Sequence, residues 1–186
     1  STSTGYALCL LVTGFVLPIG GYKLSFLLTC LGPPIGAGLA WLTLWRTPNT
    51  VVQRNAQQGR TRGLLKNKPA LLLISGYSFH SWELLGMWTW TPAFLAACFA
   101  FGGVGDLQAA GMGSYVTAFF HFTGILASFS MGLLSDRWGR ATVLLGISAI
   151  SSLCSFLFGW TYSWPLIITV VLGALYAFSC LGDSPV

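Results

Sequence analysis

The chain has 186 residues, 54% of them hydrophobic and 7% charged, with nine Lys or Arg against four Asp or Glu. A soluble domain carries about a quarter charged residues to solvate its exterior, and the mean hydropathy here is +0.73. These values exclude a soluble enzyme, a disordered tail and a nucleic-acid binder, so the net charge of +5 takes its meaning from where the charges lie.

A bilayer core about 30 Å thick needs roughly 20 apolar residues of helix. Six apolar runs are predicted as crossings. The first covers about Tyr6 to Ile19 and the second about Leu24 to Trp45, with a kink or hinge at Gly32-Pro33-Pro34. The link from Arg46 to Lys68 is polar and holds no acid. It is followed by a third run, Pro69 to about Phe101, which is expected to bend at Pro92 because an interior proline removes a ladder bond. After the Gly-rich link 102–106 come Met112 to Leu134, Ala141 to Trp160 and Trp164 to Leu181. Backbone groups in lipid must be satisfied internally, and no barrel alternation is visible. The expected fold is therefore all-α, a polytopic transmembrane helical bundle. The start at Ser1 and the stop after Gly182-Asp183-Ser184-Pro185-Val186 suggest a piece of a longer polypeptide.

Charge gives the orientation. Arg46, Arg54, Arg60, Arg62, Lys66 and Lys68 lie in the link between runs two and three, and Arg137 and Arg140 between runs four and five. Single crossings put these eight on one face, expected to be cytoplasmic by the positive-inside rule, and leave Lys23 on the other. Asp106 falls in a link on the opposite side. The aromatic turn Trp160-Thr161-Tyr162-Ser163-Trp164 suits the headgroup level there. The five cysteines stand in apolar stretches without metal or redox spacing and read as packing residues.

The turn after run four reads Gly132-Leu133-Leu134-Ser135-Asp136-Arg137-Trp138-Gly139-Arg140. This G-x-x-x-D-R-x-G-R pattern resembles the loop signature of the major facilitator superfamily, which joins the second and third helices of each six-helix half. A further basic residue usual in that signature is replaced here by Ala141 and Thr142. Physically, Gly132 would let a neighbouring helix approach. Asp136 would meet donors or a positive helix end, or cap the next helix. Arg137 and Arg140 would bridge along the rim, and Gly139 completes the pattern: a gate rather than a solute site. The resemblance implies a twelve-helix transporter of which this chain covers about helices five to ten. Residues 1–45 would then be the last two helices of the N-terminal half, 46–68 the central cytoplasmic loop, and 69–186 the first four helices of the C-terminal half. It also implies partner helices of the same polypeptide beyond the chain.

Ionisable groups inside a span are costly and need a reason. Glu83 lies within the third run with His80 three residues earlier on the same face. A buried carboxyl beside an imidazole suits proton coupling, and the bland alternative is a polar pair that fixes packing. Trp82, Trp88 and Trp90 would supply aromatic walls near them. His121 in the fourth run reads first as a packing histidine with satisfied hydrogen bonds and second as a coupling residue. Asp183 is intramembrane if the last helix continues and a rim residue if it stops. The expected function is a secondary transporter moving a small solute by alternating access, with protons as the coupling ion and no cofactor, metal or nucleic acid. It would be a multi-pass protein of the plasma (inner) membrane. The competing classes are a non-transporting sensor or scaffold of the same fold and an integral membrane enzyme, for which no catalytic motif is present.

Overall fold

The computed structural model describes residues 2–47 and 66–182. Its elements are α1 (Thr2–Thr29), α2 (Gly32–Leu44), α3 (Lys68–Phe101), α4 (Asp106–Trp138), α5 (Arg140–Phe158), a 3₁₀ turn (Gly159–Ser163) and α6 (Leu166–Gly182). The described residues contain no strand. Among the described residues four stretches are long and apolar enough to cross a membrane: Thr4–Leu44, Lys68–Phe101, Asp106–Trp138 and Arg140–Ser163. Six such crossings are expected from the sequence, and the difference has local causes. The first helix does not end near Ile19 but continues to Thr29, so the first two runs fall within one 41-residue apolar stretch. The last helix, Leu166–Gly182, is apolar but has only 17 residues.

The prolines explain two of the boundaries. Pro33 and Pro34 stand in the first turn of α2, where an N–H has no ladder partner to lose and the fixed φ already suits a helix. They start a helix there instead of kinking one. Within α1 the interruption lies earlier, at Gly21, whose φ of 65° and ψ of −169° break the α ladder in a conformation that side chains with a Cβ rarely adopt. At the other end of the chain Gly139, with φ 84°, closes α4 and opens α5, so a single residue makes that turn.

The chain forms two compact units, one of Ser1–Thr29 with Leu84–Val186 and one of Cys30–Glu83. In the larger unit α4 is the central helix: α1 and α6 pack on it, and α5 packs chiefly on α6. The core holds Met87, Leu95, Phe120, Cys154, Tyr176, Ala177 and Cys180. Large apolar side chains also cover the outside, among them Leu145, 74% exposed, and Phe156, 70% exposed. An exterior of that kind suits lipid, not water.

Lipid is as apolar as leucine, so helices in it are held by close fit more than by burial. The fit here is made by glycines. A Cβ on Gly14 would stand 3.0 Å from the Gly111 carbonyl oxygen, and one on Gly111 2.9 Å from the Gly14 oxygen, so α1 and α4 cross backbone to backbone. A Cβ on Gly113 would lie 2.6 Å from the Pro92 oxygen, which brings α4 against α3 at the proline. Gly173 of α6 receives the Phe120 ring, 2.6 Å from where its Cβ would be.

Candidate functional site

The larger unit gathers three polar-edged rings from three helices. Tyr6 of α1 stacks on Trp88 of α3 with centroids 5.4 Å apart and planes at 23°. His121 of α4 closes the triangle, 4.9 Å from Tyr6 and 5.7 Å from Trp88. It is 2% exposed.

The backbone explains one side of this triangle. Pro92 has no N–H, so the carbonyl four residues before it, that of Trp88, lacks its ladder donor. The Tyr6 hydroxyl donates to that Trp88 carbonyl. A defect in one helix is thus repaired by a side chain of another, which also fixes where the Tyr6 ring lies. Gly113 permits it, because a side chain there would push α4 away from Pro92 and Ala96.

The other side is open chemically. Both ring nitrogens of His121 and the indole nitrogen of Trp88 are buried without a hydrogen-bond partner. A neutral imidazole offers one donor and one acceptor, and an indole one donor. Leaving such a group unpaired in an apolar surrounding costs about 1–3 kcal/mol. Such groups call for a polar partner with both a donor and an acceptor, such as a hydroxyl. His121 is therefore buried, as a packing histidine should be, but its hydrogen bonds are not satisfied by protein groups.

The remaining expected residues lie elsewhere. His80 and Glu83 are both partly buried on α3 and belong to the smaller unit. Their three-residue separation on one helix keeps them on a common face. Asp183 lies outside the described residues, as do Arg54, Arg60 and Arg62. In the α4–α5 turn, Asp136, Arg137 and Arg140 are exposed. The N-cap of α5 is Gly139, with no side-chain cap bond, so Asp136 does not cap that helix. Space is open around Gly132, where a Cβ would meet no atom within 4 Å. The close approach expected there is made instead at Gly14, Gly111, Gly113 and Gly173. Asp106 begins α4 as the acid of its first turn, where it complements the helix dipole. Cys98, Cys154 and Cys180 are buried as packing residues.

Sequence reasoning missed Tyr6. The signal for it was Pro92 itself, since an interior proline leaves a named carbonyl in need of a donor. No family model, curated protein or solved structure matches this chain.

Proposed function

We propose that this chain belongs to a proton-coupled secondary transporter that moves a small solute across a membrane by alternating access. The observation that carries the reading is His121. It is a titratable side chain inside a membrane-length helix, 2% exposed, with neither ring nitrogen bound to a protein group. Such a residue is expensive and marks a functional position in a membrane helix. A ring that exchanges a proton or a solute hydrogen bond during the cycle needs nitrogens that no protein group holds.

Two further features support it. The Asp136-Arg137-Trp138-Gly139-Arg140 segment occupies the joint of two helices, with Gly139 at φ 84°, and it resembles the gate signature of the major facilitator superfamily. Charged groups exposed at such a joint are available to make and release contacts as helices rock. His80 and Glu83 offer a second proton-handling pair.

The test is solute uptake into liposomes holding the protein, driven by an imposed proton gradient. Uptake that collapses with a protonophore supports the reading. Retained solute binding without flux under any gradient assigns the chain to a sensor instead.

A further inference from the structure

A second feature of the larger unit stands apart from the ring triangle. A cavity of about 430 Å³ lies where α1, α3 and α4 meet, lined by Thr13, Ser25 and Thr29 of α1 and Ser114 of α4, with Tyr22 and Phe26 on its apolar side. Small-molecule sites span about 300–1,000 Å³. Pro92, Ala93 and Ala96 of α3 also line it, with Leu17 and Ala110.

The cavity adjoins the break in α1. Gly21, with φ 65° and ψ −169°, precedes Ser25 by one turn. Irregular backbone at membrane depth is tolerated where protein buries it or where it lines a polar cavity, and discontinuous helices in transporters mark binding sites. Ser25 supplies the independent sign of a ligand. It is 5% exposed, it lines the cavity, and its Oγ is buried with no hydrogen-bond partner.

The chemistry of the lining selects the guest. The Ser114 hydroxyl donates to the Ala110 carbonyl at 2.9 Å and the Thr29 hydroxyl to the Ser25 carbonyl at 2.9 Å. Their protons are committed, so what they offer the cavity is lone pairs, which call for a ligand bearing O–H or N–H donors. Among the described residues no Asp, Glu, Lys, Arg or His lines the cavity, and an unpaired charge transferred there would lose its hydration without compensation. The volume is too large for a bare monovalent cation held by the five lining hydroxyls of Thr13, Tyr22, Ser25, Thr29 and Ser114. Tyr22 and Phe26 give a face on which C–H-rich surface can rest.

We propose that this cavity binds a small, uncharged, polyhydroxylated solute, with Ser25 as its central hydrogen-bonding residue. The proposal concerns binding and is independent of proton coupling: it stands or falls on the purified protein whether or not transport is shown.

The experiment is equilibrium binding to the purified full protein in detergent, using glycerol, a pentitol and glucose as neutral probes. Gluconate and sodium chloride are the charged controls. Saturable binding of at least one neutral probe is expected, with gluconate at least about ten-fold weaker, as an uncompensated charge requires. Ser25→Ala should weaken binding about ten-fold, and Ala93→Leu, which adds bulk to the cavity wall, should abolish it. Tryptophan fluorescence on heating shows that each variant is folded. Absence of saturable binding of all three neutral probes overturns the proposal. So does equal affinity for gluconate, binding of sodium alone, or undiminished binding by folded Ser25→Ala and Ala93→Leu.

Discussion

The phenol of Tyr6 donates its proton to the carbonyl of Trp88, an oxygen that Pro92 leaves without a ladder partner. Residues 82 apart in sequence thereby share one side-chain-to-backbone hydrogen bond. The same contact stacks the two rings and places both against His121.

That bond predicts a conditional dependence. Tyr6→Phe keeps the ring but removes the donor, and should lower stability in detergent by about 1–2 kcal/mol. The second half of the test is Pro92→Ala, which returns an N–H to position 92. In that background Tyr6→Phe should cost less than half as much, read as a non-additive double-mutant cycle by thermal unfolding. Additive costs would show that the tyrosine acts through its ring alone.

His121 should separate stability from activity. Replacing it with leucine removes two unpaired buried nitrogens and keeps apolar bulk, so the melting temperature should hold or rise. Proton-driven uptake should fall at least about ten-fold if the ring works in the cycle. A His121→Leu protein with unchanged uptake would assign His121 to packing.

Glu83 gives a sharper kinetic signature. Glu83→Gln should abolish uptake driven by a proton gradient while sparing solute exchange, because exchange needs no net proton movement. Measured uptake that keeps its normal dependence on external pH removes Glu83 from the coupling path.

The helix crossings predict which glycines matter. Gly113→Ala meets the Pro92 carbonyl and Ala96 backbone and should destabilise by about 1–3 kcal/mol through overpacking. Gly132→Ala enters open space and should leave the melting temperature of the isolated protein within a degree or so. Any effect of Gly132→Ala would then show in transport rates.

The charge distribution makes a prediction about sidedness. Cysteines placed at Gln57 and Gln108, in a background without the five native ones, should react with an impermeant thiol reagent from opposite sides of the membrane. Labelling of both from one side would overturn the single-crossing topology.

Helix class was legible from the sequence because length and apolarity alone decide it. Pro69 to Phe101 and Met112 to Leu134 fall within α3 and α4 almost as expected. The first boundary was not legible: Gly20-Gly21 and Gly32-Pro33-Pro34 both carry break signals, and only three-dimensional packing shows that the first interrupts a helix while the second begins one. From the sequence His121 was recognisable as a polar group in an apolar run, and Trp88 as an aromatic wall. Their meeting was not, since it depends on Gly111 and Gly113 drawing α1 and α3 onto α4. Ser25 left no sequence signal at all. A serine in a membrane helix usually returns its proton to the preceding turn, as Ser114 does to Ala110, and nothing in the residue order distinguishes the one that does not.

The proline in α3 also bears on the order of biosynthesis. Chains are made from the N-terminus, so Tyr6 emerges before Trp88 and Pro92. When α3 enters the bilayer its interrupted carbonyl meets lipid, which offers no donor. A donor already waits in an earlier helix. The repair still needs α4, because Gly111 and Gly113 of that helix draw α1 and α3 together, so the bond between an early helix and a later one is completed only when the fourth has been made.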